Sequence, residues 1–301
     1  MKVFVAGATG AIGRPLVEEL RGRGHEVVGL ARSEANERAL LERGARPARA
    51  DLFDAGSLTG AMRGCDAVVR VATHISTRPR PTRADWAQND RIRRDGTRAL
   101  LEAASKAGVP RYLQESIAWL ARPDDGSPFD ESAPPRPDAI TASALDAERL
   151  AAAAPLRATT LRLGWVYGAQ TAHARIFADA LRRGRLPVLG DGSALLSLLH
   201  VRDAARAFAD ALERDAVGLF HVVDDEPAPA GEFFDAFAAT LGAPRPRRVP
   251  RWLGSLFAGP YVARFLTTPM VTSHAALTRA TGWEPERPTY REGLAEFRSL
   301  Q

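Results

Sequence analysis

The chain of 301 residues has one cysteine, Cys65, and two lysines, Lys2 and Lys106. A single thiol excludes an internal disulfide and any metal site built on several cysteines, and it fits a reducing compartment. Cys65 itself stands beside Asp66 ahead of an apolar run and reads as structural. The six histidines are dispersed, so no metal centre is expected. No stretch approaches the ~20 apolar residues of a membrane span. The opening residues lack a basic region followed by an apolar signal core, so the expected location is the cytoplasm, without a membrane partner. The net charge is +5, but the cations are almost all arginine and are spread along the chain. Without a cationic block or interleaved aromatics, this reads as a solvated surface and not as a nucleic-acid interface.

What is present starts at the first residue: Met1-Lys-Val-Phe-Val-Ala-Gly7-Ala-Thr-Gly10-Ala-Ile-Gly13. A short β-branched run meets three glycines at spacing three, and an amphipathic helix follows. A diphosphate needs this arrangement. Gly7 permits the tight turn, Gly10 lets the backbone approach the phosphates, and Gly13 lets helix and strand pack closely. The helix N-terminus then offers free N–H groups and a positive dipole end. The strand–glycine–helix context marks a dinucleotide site.

Strand and helix signals alternate from there. Strands are predicted at residues 2–6, 24–30, 48–51, 67–72, 112–116 and 159–163. Helices are predicted at 14–23, 34–43, 58–62, 85–107 and 138–154. This order implies an α/β fold, a parallel sheet with helices on both faces and right-handed crossovers. A late strand at 220–223 and a helix at 204–214 return to the sheet, while 172–183, 231–241 and 291–297 read as helices of a smaller lobe. Adenosine discrimination falls at the end of the second strand, Leu30-Ala31-Arg32-Ser33. No acid stands there to accept ribose hydroxyls, and Arg32 offers a fork of donors to an extra phosphate, which favours NADP(H) over NAD. Asp51, followed by Leu52, stands where an acid can accept the adenine amino group.

Further motifs are Gly96-Thr97-Arg-Ala-Leu-Leu-Glu-Ala-Ala, Leu161-Arg-Leu163-Gly-Trp165-Val166-Tyr167-Gly168, Gly190-Asp-Gly192, Leu199-His200-Val201-Arg202-Asp203, Gly282-Trp-Glu-Pro285 and Arg291-Glu-Gly-Leu294. With the glycine loop and Asp51-Leu52, they make the chain resemble an extended short-chain dehydrogenase/reductase, the group of NAD-dependent epimerases and dehydratases. The resemblance implies a Rossmann-type doubly wound parallel sheet with a small C-terminal substrate lobe. Residues 1–163, with 200–224 returning, would bind the cofactor, and 164–199 with 225–301 would bind a small-molecule substrate. The state would be a monomer or a homodimer. The expected cofactor residues are Gly7, Thr9, Gly10, Ala11, Ile12 and Gly13 in the loop, then Arg32, Asp51 and Leu52. Val71, Ala72 and Thr73 follow the fourth strand, and Leu163 and Val166 the sixth.

The family's chemistry uses a Ser, a Tyr and a Lys four residues after the Tyr. The tyrosine moves the proton, and the lysine lowers its pKa. Aligned on Ser143 and Glu148, those positions hold Ile140 and Ala144. The four tyrosines, Tyr112, Tyr167, Tyr261 and Tyr290, are followed four residues later by Ser116, Thr171, Phe265 and Leu294. The chain contains no Tyr-x-x-x-Lys. Ser116 keeps the family's serine position, and Arg93 replaces its asparagine.

Three functions fit. The first is NADPH-dependent reduction of a ketone on a bulky, aromatic, polyketide-like substrate, with the proton from a substrate hydroxyl, water or Ser116. It resembles ketoreductases of aromatic polyketide antibiotic tailoring. The second is a non-catalytic NADP(H) sensor, and the third is epimerase- or dehydratase-like chemistry. Trp165, with Trp119, His74, Ile140 and Ala144, is expected at the substrate, a tryptophan suiting a flat apolar ligand. Trp252 and Phe257 are further pocket candidates, and Arg78 and Arg80 lie in a loop over the expected cleft. His200 and Asp203 read as a turn and a helix cap.

Overall fold

The computed structural model describes residues 1–78 and 81–300. Arg80 and the side chain of Phe257 lie outside the described residues. Seven strands form one parallel sheet: β1 (Lys2–Ala6), β2 (Glu26–Ala31), β3 (Arg46–Arg49), β4 (Ala67–Arg70), β5 (Arg111–Ile117), β6 (Arg157–Leu163) and β7 (Gly218–Val222). Their spatial order is β7-β6-β5-β4-β1-β2-β3. β1 lies centrally, with Val5 opposite Gly29 of β2 on one side and Val69 of β4 on the other. The strand order reverses between β1 and β4, the place where a crevice opens at the carboxyl edge of such a sheet.

Alternation along β1 sends its side chains to opposite faces. Val3 and Val5 pack with Leu16, Val17 and Leu20 of α1 (Gly13–Gly22). Leu40 of α2 (Glu34–Leu41) closes the same face beneath β2. Phe4 points the other way, into a cluster with Leu58 and Met62 of α3 (Ala55–Met62).

The long helix expected at 85–107 is present as one continuous helical run with a π-helical turn in its middle. Its parts are α4 (Arg83–Arg91), the π-helical turn Ile92–Gly96 and α5 (Thr97–Ala107). The turn carries Arg93 into the interior, where it is 4% exposed. The helix expected at 138–154 starts later, as α6 (Ala142–Ala153). Asp138 explains the delay: its Oδ1 accepts the N–H groups of Ile140 and Thr141, each at 2.9 Å, holding them in a turn. Ile140 therefore precedes α6 and is not part of it.

The remaining α-helices among the described residues are α7 (Ala172–Arg182), α8 (Val201–Glu213), α9 (Ala230–Thr240), α10 (Arg251–Thr267), α11 (Ala275–Thr281) and α12 (Tyr290–Leu294). α8 packs beside α1 through Phe208 and Leu212. α7, α9 and α12 gather a second cluster around Phe233, Phe234, Phe237 and Leu294. α10 was not anticipated, because Gly254, Gly259 and Pro260 interrupt its pattern. Gly259 has φ +83° and kinks it, a conformation open to glycine.

Candidate active site

The glycine loop closes on itself. The Gly10 N–H donates to the Gly7 carbonyl at 2.9 Å, and the Arg14 side chain donates to the Thr9 carbonyl at 2.9 Å. Gly7 has φ +91°, and a Cβ there would lie 2.6 Å from the Ala72 nitrogen. A Cβ on Gly13 would lie 1.9 Å from the Gly7 oxygen. A Cβ on Gly10 would meet only that oxygen, at 3.1 Å, so the other side of Gly10 is open. Among the described residues, the Ala11 and Ile12 amides, just ahead of α1, donate to no other backbone group. This cradle with free N–H groups fits a dinucleotide diphosphate.

The other expected cofactor residues lie along the same carboxyl edge. Arg32 is exposed just past β2. Asp51 is exposed, and its Oδ1 accepts the Phe53 N–H at 3.0 Å. Leu52 is buried against Gly96. Val71 continues β4, donating to the Ala6 carbonyl at 2.9 Å, with Ala72 and Thr73 half-buried after it. Leu163 ends β6 and is buried, while Val166 is half-buried.

At the end of β5, Ser116 is buried and donates its hydroxyl to Glu148 Oε1 at 2.5 Å. The Glu148 carboxylate is held through both oxygens by Arg162 of β6, at 2.9 and 2.7 Å. Such a bidentate pair compensates both charges in a low-dielectric interior. A second network lies beside it. Arg70 donates to the carbonyls of Ala72 at 3.2 Å and Glu115 at 2.7 Å. Gln114 ties the sheet to α6 through the Ala147 carbonyl at 3.0 Å. Glu115 lies 3.5 Å from Arg93 and 3.9 Å from Arg70. None of these networks was anticipated. The available signal was Arg70 at the end of the otherwise apolar β4, with Glu115 and Arg162 late in β5 and β6, since a buried charge demands a partner.

The expected substrate residues are dispersed around this centre. Ile140 is half-buried in the turn before α6, and Ala144 is buried with Ile117, Leu120 and Leu145. His74 is exposed, and its backbone N–H donates to Asn89 Oδ1 at 2.9 Å. Trp119 stacks edge-on to Phe265 of α10 at 5.1 Å. Trp165 is walled by Phe177, Phe233, Phe234 and Phe265, with ring centroids 5.5–6.0 Å away. Trp252 is 67% exposed. Arg78 is exposed and paired with Asp85 at 2.9 Å. His200 caps α8 by accepting the Arg202 N–H, and Asp203 accepts the amides of Glu286 and Arg287.

One phenol packs against α4 from α10. Tyr261 of α10 lies edge-on to Trp86 of α4, with ring centroids 6.2 Å apart. Burial pushes its pKa up; Asp138 adds to that rise, while Trp119, Arg93 and Arg122 oppose it.

Residues 3–222 match the model of the NAD dependent epimerase/dehydratase family. The chain belongs to that family. It is 39% identical to a Streptomyces protein named 3-diazoavenalumate denitrifying reductase, over 98% of this chain and 99% of the relative. It is 32% identical to a Stigmatella aurantiaca ketoreductase of a 4-hydroxy-2-methyl-3-oxo-4-farnesyl-dihydroquinoline-1-oxide, over 80% and 74%. Among solved structures, a human epimerase family protein with NADPH superposes with a TM-score of 0.84 at 24% identity, over the whole of both chains. The chain is thus an oxidoreductase of this family, with the family's parallel sheet. Among the described residues, no helix is long and apolar enough to cross a membrane.

Proposed function

We propose that the chain is an NADPH-dependent reductase that reduces an electrophilic group on a bulky aromatic substrate, drawing no proton from a Tyr/Lys pair. What carries this reading is an intact glycine cradle in a chain that has no Tyr-x-x-x-Lys and holds Ile140 and Ala144 at the aligned positions. The one remaining hydroxyl of the set, Ser116, already donates to Glu148.

Bound NADPH would supply a hydride. The Gly7–Gly13 loop and the α1 N-terminus would hold the diphosphate, and Arg32 the additional phosphate. Ser116, fixed by Glu148 and Arg162, would orient the acceptor. An apolar Ile140 and Ala144 serve an acceptor that carries its own positive charge, because hydride capture then neutralises it and no alkoxide forms. A diazo-bearing arene is such an acceptor: one hydride and the loss of dinitrogen leave the arene with hydrogen at that carbon. The name of the 39% identical relative supports this class.

A ketone is the second reading, supported by the Stigmatella relative's name. There the forming alkoxide would take its proton from a neighbouring phenol on the substrate or from water, as the missing tyrosine requires.

The test is NADPH consumption with a diazo-4-hydroxyarene and, separately, with an aryl ketone bearing an adjacent phenol. The first reading expects equal amounts of NADPH oxidised and dinitrogen released. The second expects deuterium from labelled NADPH at the carbinol carbon. Tight NADPH binding with no turnover on either panel would leave the sensor reading standing instead.

A further inference from the structure

Trp86, Asn89 and Arg93 are spaced three and four residues apart along α4 and its π turn, and so share one face. Each carries a buried N–H group with no acceptor among the described residues: Trp86 Nε1, Asn89 Nδ2 and Arg93 Nε. The Asn89 oxygen is already used by the His74 amide. Against these three donors the cluster holds one unpaired acceptor, Glu115 Oε2, and the excess of donors points to a missing group that accepts.

The charge balance names that group. Arg70 and Arg93 are both buried, and the one carboxylate between them is Glu115. Two guanidinium groups face one carboxylate, so the cluster carries an unbalanced positive charge. Burying such a charge without a counter-ion is costly. The other ions facing Tyr261 are committed elsewhere. Asp138 caps the turn before α6, and Arg122 donates to the Phe265 and Thr268 carbonyls at 3.4 and 3.3 Å. Arg93 keeps one pairing, to Glu115 at 3.5 Å, and its Nε is left to meet a ligand. Across from it, α10 supplies Tyr261 against Trp86 and, one turn on, Phe265 against Trp119. These are flat apolar walls suited to an aromatic ring.

We propose that this face is an anion subsite and that the substrate is an aryl carboxylic acid, its ring beside Trp86 and Tyr261 and its carboxylate on Arg93. Asn89 Nδ2 and Trp86 Nε1 complete the cradle. The subsite names the substrate class for the reductase reading above and rests on that reading only for what happens after binding.

The experiment measures binding, not turnover. Cinnamate and methyl cinnamate are titrated into the full chain saturated with NADP+, read by calorimetry and by tryptophan fluorescence. The acid should bind about tenfold or more tightly than the ester, the gain of a charge-assisted contact. Arg93→Met should bring the ratio to about one. Equal binding of acid and ester by the unaltered chain overturns the proposal, as does an acid preference that survives Arg93→Met. Should Arg93→Met not fold, Asn89→Leu decides. It leaves the Arg93–Glu115 pair in place and should cut the ratio by roughly threefold or more; an unchanged ratio overturns the proposal. Arg93-dependent acid binding without any NADPH consumption would retain the subsite and remove only the reductase reading.

Discussion

Ser116 donates a hydrogen bond from its hydroxyl to Glu148 at 2.5 Å, and Glu148 is gripped through both oxygens by Arg162. The serine next to the last residue of β5 is therefore the outer member of a buried triad. Its proton points at a carboxylate inside the protein. Ser116→Ala removes one hydrogen bond from Glu148 and leaves the ion pair whole. Turnover should fall by about tenfold or less, with a small drop in Tm. Glu148→Leu strands the Arg162 guanidinium, a loss of ~3–5 kcal/mol in unfolding free energy. Paired kcat and thermal-melt measurements check both. A complete loss of turnover in Ser116→Ala with an unchanged melt would make Ser116 the essential proton donor.

Asp224 follows β7 and is almost fully buried. Burial, with the nearby charges of Asp225 and Asp203, pushes its carboxyl up to about 9. Unfolded, it titrates near ~3.9. Between those values the native state holds a proton that the unfolded state has released, so raising the pH favours unfolding across that window. Asp224→Asn removes this dependence. Its melting temperature should match the parent's within a degree or so near pH 4.5 and exceed it by several degrees at about pH 8.5. Thermal melts of both proteins from pH 4.5 to 9 test this, and parallel curves would refute the neutral carboxyl.

Much of this molecule is legible in its sequence, for identifiable reasons. β1, α1 and the loop between them follow local rules, a β-branched run, three glycines and an amphipathic turn, so they emerge from a few residues. The buried charges do not. Arg70 with Glu115 and Arg162 with Glu148 are pairs between distant segments, and no local pattern says which charge meets which. Arg93 was visible as a departure from the family's asparagine, but its depth comes from the π turn, which adds one residue to a helical ladder without a sequence mark. Ile140 was misplaced because the predicted helix ran through the turn that Asp138 imposes. Tyr261 was visible only as a tyrosine without a lysine; its approach to Trp86 depends on α10, whose glycines hid it.

Arg32 is exposed past the end of β2, where no acid stands to receive ribose hydroxyls. If it holds the additional phosphate of NADPH, Arg32→Ala should weaken NADPH by about tenfold or more and leave NADH nearly unchanged, the loss of a charge-assisted contact made by one cofactor only. Dissociation constants for the two cofactors, measured by fluorescence titration on both proteins, give the comparison. Equal weakening of NADPH and NADH would overturn the NADP assignment.

Gly13 and Gly10 separate folding of the loop from its contact with the phosphates. A Cβ on Gly13 would sit 1.9 Å from the Gly7 oxygen, inside the protein, so α1 must move away from β1. Gly13→Ala should therefore lose both cofactor affinity and stability, the latter by about 1–3 kcal/mol as overpacking. A Cβ on Gly10 meets only the Gly7 oxygen at 3.1 Å and otherwise projects into the open side of the cradle. Gly10→Ala should keep most of the stability and weaken NADPH by about tenfold or more, because the methyl takes space the diphosphate needs. Urea unfolding beside NADPH titration distinguishes the two effects. A Gly10→Ala protein that binds NADPH as tightly as the parent would mean that the diphosphate does not approach the loop at this residue.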